Sequence, residues 1–284
     1  MKAPPFAYAR ARSLAEVFDL LARHGEDAKL LAGGQSLIAT LNMRLSSPRL
    51  LIDITRLTEL SGVQVRDGVV RIGALTTHAE IERSPEIRRH LPLLAQAAPH
   101  IAHPAIRNAG TLGGSIALAD PAAEWPACCV ALDAQFTIAG RTGTRRVAAR
   151  EFFKGLYATA LRPDEVLTHV EIKVPGPEYR SAFVELAQRR GDYAIAGLAA
   201  VANRAGGMLS DLRLAFLGVG ETPVLARKTM AAMEGKRAAA DTIAAAAKAL
   251  AKDIDPTPDL YSSAATKMQL ARVLTGRALV ALGT

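Results

Sequence analysis

The sequence contains few of the residues that build disulfide frameworks or metal sites. Its 284 residues include two cysteines, Cys128 and Cys129, which are adjacent. Adjacent cysteines rarely bridge each other and form no C-x-x-C pair, so neither a disulfide framework nor a thiolate metal site is indicated. Among six histidines, only His100 and His103 lie close together in the chain, and no third ligand stands near them. We therefore predict no metal ligands, and a reducing compartment.

The sequence is also poor in aromatic residues and in long apolar runs. Aromatic residues make up 5% of the chain and none is interleaved with a basic run, although the net charge is +8. A base-stacking platform needs that interleaving, so the charge indicates a surface suited to an anionic ligand or an acidic partner subunit, not nucleic acid. The N-terminal stretch lacks the apolar segment of a signal peptide, and no run is long enough to span a bilayer. These features predict a cytoplasmic protein without membrane insertion.

The first part of the chain alternates strand and helix signals. Ser13-Leu-Ala-Glu16 is a capping-box pattern, and Gly25 ends the helical apolar period that follows it. The stretch "AKLLAG" predicts a buried strand, residues 36 to about 45 a short amphipathic helix, and "RLLIDI" a second strand. Together they predict a strand-turn-helix-strand unit of the parallel type.

From Val63 onward the pattern is that of hairpins and short helices. Asp67-Gly68 separates two alternating runs, and "AQFTIAGRTGTRRVAA" indicates a second hairpin. The region between these two hairpins is helical, and Pro85 and Pro92 divide it into separate helices. A Pro-Gly-Pro break at residues 175–177 precedes a stretch typical of a small antiparallel sheet, which is followed by Ala-rich helical sequence. This break is the predicted domain boundary.

Two glycine segments resemble each other chemically. "LLAGGQSLIATL" at residues 30–41 and "AGTLGGSIALAD" at residues 109–120 each place a Gly-Gly turn beside a hydroxyl residue. Such a turn lets successive backbone N–H groups converge on one anion, and a following helix N-terminus adds a favourable dipole. Two such loops would suit a pyrophosphate or a dinucleotide between them. A Gly-Gly pair is also common in plain turns and bulges, and neither loop matches the Rossmann or P-loop pattern.

Three separated stretches carry a resemblance that covers nearly the whole chain. "LAGGQSLIATLNMRL", "HPAIRNAGTLGGSIALADPAAEWP" and "AQRRGDYAIAG" are similar, in this order, to the flavoprotein (medium) subunits of molybdenum hydroxylases, the family of xanthine dehydrogenase and aerobic carbon monoxide dehydrogenase. The resemblance implies an α+β fold: a PCMH-type FAD-binding domain of two α+β subdomains, followed by a smaller α+β C-terminal domain of antiparallel sheet plus helices. The expected domains are residues 1–176, with subdomains of about 1–57 and 58–176, and residues 177–284.

The resemblance also implies which residues hold FAD in an extended form. The first loop would wrap the pyrophosphate, the second would lie against the diphosphate and riboflavin, and the GDYA turn would place Tyr193 over the isoalloxazine, with Asp192 anchoring the turn. Arg107 and Asn108 would support the second loop. The residues expected at the cofactor are Ala32, Gly33, Gly34, Gln35, Ser36, Leu37, Ile38, Thr111, Gly113, Gly114, Ser115, Glu124, Leu167, Asp192 and Tyr193.

Two positions depart from the family pattern. The acidic residue about nine positions after the second Gly-Gly is usually Asp, and it normally takes a ribose or ribityl hydroxyl; here it is Glu124. Many relatives carry Lys six or seven residues before the glycine of the GDYA turn, near the cofactor, where this chain has Glu185. We expect Glu124 to contact the hydroxyl with a longer reach or in an altered way. We do not expect Glu185 to make the cofactor contact of the lysine.

The function implied by the resemblance is electron transfer within a larger enzyme. Substrate would be hydroxylated at a molybdenum-pterin centre in a large subunit, and electrons would pass through two [2Fe–2S] clusters in a small subunit to the FAD of this chain and on to an external acceptor. With two adjacent cysteines this chain cannot itself hold an iron–sulfur cluster. The expected assembly is a dimer of heterotrimers, and the chain itself is expected to supply no catalytic side chain.

Two other functions stay open from the residues alone. One is a self-contained PCMH-type flavin oxidase, which needs a catalytic base and often a His or Cys attached to the flavin, neither of which is identified. The other is a non-enzymatic nucleotide-binding scaffold that has lost the flavin, which the departures at Glu124 and Glu185 keep open.

Overall fold

The computed structural model describes residues 2–284 and arranges them around three main β-sheets, each formed by a successive stretch of the chain. The first stretch forms a small parallel sheet of strand order β1-β3-β2. The strand-turn-helix-strand unit is therefore confirmed. Its elements are β1 (Ala7–Arg10), α1 (Leu14–His24), β2 (Ala28–Leu31), α2 (Leu37–Asn42) and β3 (Leu50–Asp53).

Helix α1 begins and ends where the sequence predicts, but its N-terminal cap is only half of a capping box. The hydroxyl of Ser13 accepts the backbone N–H of Glu16 at 3.2 Å. The Glu16 carboxylate accepts the N–H of Arg12 at 2.9 Å instead of that of Ser13, so the predicted reciprocal bond is wrong. Gly25 closes the helix with a φ of +52°, a conformation that glycine adopts readily.

The second stretch forms an antiparallel sheet of strand order β4-β5-β10-β6-β7, with short helices between β5 and β6. Asp67 and Gly68 both have positive φ, as the predicted two-residue hairpin requires. Pro85 and Pro92 stand at the start of two successive helices, where the missing N–H of proline costs nothing. The elements are β4 (Val63–Arg66), β5 (Val69–Gly73), α3 (His78–Arg83), α4 (Pro85–His90), α5 (Pro92–Ala97), α6 (Pro104–Arg107), α7 (Leu112–Leu118), α8 (Glu124–Ala131), β6 (Gln135–Gly140), β7 (Gly143–Ala148), α9 (Ala149–Phe152), β8 (Phe153–Gly155), β9 (Ala158–Thr159) and β10 (Val166–Lys173).

The third stretch is an antiparallel sheet covered by helices, as predicted. Its long strands pair in the order β11-β12-β13-β14, and β15 adds to β13. The last helix packs on the face of this sheet through Ala271, Leu274 and Ala278, which are fully or almost fully buried. The elements are β11 (Tyr179–Ala187), β12 (Ala194–Ala205), β13 (Met208–Leu217), β14 (Val224–Leu225), α10 (Arg227–Met233), β15 (Lys236–Arg237), α11 (Ala240–Ala249) and α12 (Ala264–Gly283).

The largest hydrophobic core joins the second and third stretches. Helix α8 contributes the fully buried Trp125, and the third sheet contributes Phe183 and Leu217 to the same cluster. Burying one such large apolar side chain stabilises the fold by about 2 kcal/mol. The predicted boundary between residues 176 and 177 falls between β10 and β11, and it stays a prediction because the two sides share this core. Within residues 2–284, no helix combines the length and hydropathy needed to cross a bilayer.

Candidate functional site

The first glycine loop (residues 32–36) connects β2 to α2 and leaves a run of backbone donors free. Gly34 has a φ of +71°, and the side-chain amide of Gln35 folds back to the carbonyl oxygen of Gly33 at 2.9 Å. Among residues 2–284, the N–H groups of residues 33–37 have no acceptor; the first bond into the helix runs from Ile38 to the carbonyl of Gly34. Successive free N–H groups at a turn that opens a helix make an anion-binding concavity.

The second glycine loop (residues 109–115) is built differently, because its glycine N–H groups are already used within the chain. The N–H of Gly113 donates to the carbonyl oxygen of Ala74 at 2.8 Å, and that of Gly114 donates to the hydroxyl of Thr111 at 3.1 Å. A Cβ on Gly113 would press against Ala74, so this glycine is required for packing. The sequence predicts converging N–H groups in both loops, and the structure provides them in the first loop.

The two glycine loops lie directly against each other although about eighty residues separate them. A Cβ on Gly33 would overlap the carbonyl oxygen of Ala109 and approach the Cα of Gly110 to 2.8 Å. Backbone atoms cannot move away from such a contact as a flexible side chain can. Gly33 is therefore needed to let the two loops close on each other.

A buried histidine, which the sequence motifs do not reveal, braces the second loop from behind. The backbone N–H of His78 donates to the carbonyl oxygen of Gly110 at 2.9 Å, and the indole N–H of Trp125 donates to Nδ1 of His78 at 2.9 Å. Burial, together with the positive charge of Arg107, lowers the pKa of His78 to about 4. His78 is thus neutral, with Nδ1 accepting and the proton on Nε2.

Arg107 binds the chain just before the second glycine loop, and its predicted support of the loop itself stays a prediction. Its guanidinium pairs with Glu82, with Nε 2.9 Å from a carboxylate oxygen, and donates to the carbonyl oxygens of Ile101 and Ala102 at 3.0 Å. These bonds fix the segment that leads into the second glycine loop. Asn108, which follows, is exposed.

The GDYA turn (residues 191–194) joins the same region from the third sheet. A Cβ on Gly191, which has a φ of +88°, would lie 2.8 Å from the ring of His103 and 2.9 Å from the carbonyl oxygen of Ala102. Asp192 is exposed and its N–H closes the turn onto the carbonyl oxygen of Arg189 at 3.1 Å. Tyr193 is 73% exposed, an unusual state for a large aromatic side chain.

A second exposed tyrosine, missed by the sequence reasoning, stands close to the same acidic residue as Tyr193. The hydroxyl of Tyr157 donates to the carboxylate of Asp120 at 3.3 Å. Desolvation, followed by the negative charges of Asp120 and Glu124, raises the pKa of Tyr193. No sequence motif marks Tyr157 as a site residue. Its backbone has a φ of +53°, which only the structure shows. Asp120 thus binds the hydroxyl of Tyr157 and acts electrostatically on Tyr193 of the GDYA turn.

Glu124 and Glu185, the two departures from the family pattern, both have buried side chains. Glu124 is the first residue of α8, and burial, with repulsion from Asp120 as the smaller cause, raises its pKa to about 7. Glu185 lies in β11, and burial, with repulsion from Glu124, raises its pKa to about 8. Nδ1 of His100 lies 4.0 Å from a carboxylate oxygen of Glu185.

Leu167 is buried in β10 and is linked to the second loop through the backbone. The carbonyl oxygen of its neighbour Thr168 accepts the N–H of Ala74 at 2.9 Å, and the carbonyl of Ala74 accepts the N–H of Gly113 at 2.8 Å. Strand β10 has a bulge between Leu167 and His169. The structure therefore places Leu167 behind the second loop, whereas Ser36 and Ile38 are exposed at the first.

The residues present fit a bound dinucleotide better than a metal or a self-contained catalytic site. Within residues 2–284, no three His, Cys, Asp or Glu side chains are grouped so as to hold a metal ion. The two cysteines are buried free thiols, and burial raises the pKa of both. Free N–H groups in the first loop can take a diphosphate, and the exposed Tyr193 offers an aromatic face for a ring system.

Comparisons with known proteins place nearly the whole chain in one family. Residues 4–175 match the family described as the FAD binding domain in molybdopterin dehydrogenase, and residues 181–282 match the CO dehydrogenase flavoprotein C-terminal domain. The 6-hydroxypseudooxynicotine dehydrogenase complex subunit alpha of Paenarthrobacter nicotinovorans is 40% identical, covering 98% of this chain and 95% of the relative. The carbon monoxide dehydrogenase medium chain of Hydrogenophaga pseudoflava is 38% identical, covering 97% and 96%.

Solved structures show the same fold. The carbon monoxide dehydrogenase of Hydrogenophaga pseudoflava that lacks the Mo-pyranopterin moiety of its molybdenum cofactor superposes with a TM-score of 0.97 at 39% identity, covering 99% of this chain and 98% of that one. Quinoline 2-oxidoreductase of Pseudomonas putida 86 superposes with a TM-score of 0.95 at 37% identity, covering 100% and 98%. The α+β fold predicted from the sequence is confirmed.

Proposed function

This chain belongs to the family of FAD-binding flavoprotein subunits of molybdopterin dehydrogenases, and from that premise we propose that it binds FAD between its two glycine loops and passes electrons through it inside a multi-subunit enzyme. It is thus an oxidoreductase subunit. The observation that carries the proposed site is the run of free N–H groups at residues 33–37, held against the second loop by the contact between Gly33 and Ala109.

Different residues of the chain bind different parts of the cofactor. The N–H groups of the first loop take the diphosphate oxygens, and the exposed hydroxyl of Ser36 adds a further donor. Thr111 and Ser115 of the second loop, whose shape is fixed by the Thr111 cap, would hold the cofactor from the other side. Tyr193 would supply an aromatic surface for the ring system. FAD, when bound, supplies the one- and two-electron chemistry, which no side chain of this protein provides.

The electrons reach this chain from partner subunits. An iron–sulfur cluster needs four suitable ligands, and the chain offers two buried, adjacent cysteines. We therefore assign the [2Fe–2S] clusters to a small subunit and the molybdenum-pterin centre, where substrate is oxidised, to a large subunit. Several relatives are named as the medium chain or medium subunit of their enzymes, which supports this division. The proposed assembly is a dimer of heterotrimers in the cytoplasm, with an external electron acceptor.

The self-contained oxidase and the non-enzymatic scaffold receive less support. Relatives that match almost the full chain are named as subunits or chains of dehydrogenases. A scaffold that has lost its cofactor has no need of an open run of N–H groups or of a glycine at position 33. Purification of the native complex tests the proposal: we expect two further chains, molybdenum, iron and one FAD per copy of this chain. Isolation of an active single-chain flavin oxidase would contradict it.

A further inference from the structure

A cavity outside both glycine loops lies at the junction of the second and third stretches of the chain. Its volume is about 270 Å³. One wall comes from α8, α9 and β8, and the other comes from β14 and the segments on either side of it. None of residues 32–38, 109–115 or 191–194 lines the cavity, so it is separate from the proposed FAD site.

The apolar part of the cavity wall is fixed by core packing. Val130 is 7% exposed and belongs to the largest hydrophobic core, against which Phe153 and Leu225 also pack. The ring of Phe153 makes edge-on contacts with Phe136 and Phe152, with ring centroids 6.1 Å and 5.2 Å apart. Because these side chains are held by the core, the cavity is preformed and can shield an apolar group from water.

Two arginines line the same cavity. Arg150 belongs to α9, Arg227 is the first residue of α10, and both are exposed. Within residues 2–284, no carboxylate oxygen lies within 4.0 Å of either guanidinium. None of the residues that line the cavity is acidic. Two positive charges beside an apolar wall, with no acidic partner in the chain, attract an anion.

The combination of charge, wall and volume selects the class of ligand. A guanidinium presents a fork of N–H donors that matches a carboxylate, and the apolar wall favours a hydrocarbon body. Pockets that take drug-sized molecules measure about 300–1,000 Å³, so this cavity suits a smaller molecule. We propose that it binds a small organic carboxylate, with the carboxylate on Arg150 and Arg227 and the apolar body against Val130 and Phe153. This site does not depend on the proposed function.

Titration calorimetry of the full chain with naphthoate tests the site. We expect saturable binding of one naphthoate per chain. The neutral naphthamide has nearly the same shape and should bind at least about tenfold more weakly, because it loses the charge-assisted hydrogen bonds. R150Q and R227Q should each weaken naphthoate binding at least about tenfold and leave naphthamide binding unchanged. R88Q is the matched control, since it removes an exposed arginine that does not line the cavity.

The variants and FAD itself separate this site from other sites for an aromatic anion. Arg150 and Arg227 are exposed, so R150Q and R227Q should keep the thermal midpoint of the wild type. T222W, which adds bulk to the cavity wall just before β14, should abolish the binding of both compounds. Absence of saturable naphthoate binding, equal affinity in the wild type and R150Q/R227Q, or displacement of naphthoate by FAD would overturn the proposal. A chain that takes up no FAD contradicts the proposed function and leaves the naphthoate result valid.

Discussion

The backbones of Gly33 and Ala109 are in direct contact, and this contact joins two glycine loops that come from different sheets. Each loop alone is a turn that any globular protein could contain. Joined, they bring the free N–H groups of residues 33–37 next to a loop already fixed by its own hydrogen bonds. The binding surface therefore depends on a residue that itself has no side chain.

Replacing Gly33 by Ala tests this contact. The added Cβ would overlap the carbonyl oxygen of Ala109, and neither backbone can yield without separating the loops. We expect at least about tenfold weaker FAD binding, equivalent to about 1.4 kcal/mol, measured by fluorescence titration. Gly176→Ala is the matched control, since a Cβ there meets open space at an ordinary φ. Equal affinity in the two variants would show that the loops do not act together.

We expect the folded chain to lose stability in mild acid because of His78. Its pKa is lowered from 6.5 to about 4, so between these values the unfolded chain binds a proton that the folded chain does not. Stability contributed by neutral His78 is therefore present above about pH 6.5 and is lost as the pH falls toward about 4. Denaturant unfolding of the wild type and of His78→Asn, in which the amide oxygen can accept from Trp125, should show a difference that shrinks as the pH falls. A constant difference would mean that His78 titrates normally.

We expect substitution of Tyr193 to change the spectra of bound flavin without releasing it. The side chain is largely exposed, so Tyr193→Ala should leave the thermal midpoint of the chain within a few degrees of the wild type. With the aromatic cover removed, the absorption and fluorescence of bound FAD should change, while Tyr193→Phe, which keeps the ring, should preserve them. Tyr157→Phe removes the bond to Asp120 and serves as the neighbouring control. Identical spectra for the wild type and Tyr193→Ala would place the flavin ring elsewhere.

The sequence predicts the elements well because their signals are local. Asp67-Gly68, Pro85 and Pro92 act on the backbone where they stand, so the hairpin and the helix starts follow from them. Both glycine loops are visible for the same reason. The domain boundary and the fifteen cofactor residues remain predictions, since they depend on a ligand and on how distant parts of the chain meet.

The sequence does not show which distant residues contact each other in the folded chain. The bond between Trp125 and His78 joins residues 47 positions apart, and neither carries a motif for it. The N–H group of Gly113 is occupied because residues 74–77 pair with the second loop, which no local pattern indicates. The N–H group of Gly114 is taken locally, by the hydroxyl of Thr111. No local pattern shows that the side chains of Glu124 and Glu185 are buried, because their burial depends on how α8 and β11 pack in the folded chain.

The cofactor content of the purified chain decides whether this protein binds FAD. We expect a yellow protein with a flavin absorption spectrum, which releases one FAD per chain on denaturation and takes it up again on refolding with added FAD. The same assay on Gly33→Ala should show FAD lost and on Gly176→Ala FAD retained. A colourless, folded wild-type chain that takes up no FAD when it is supplied would contradict the account.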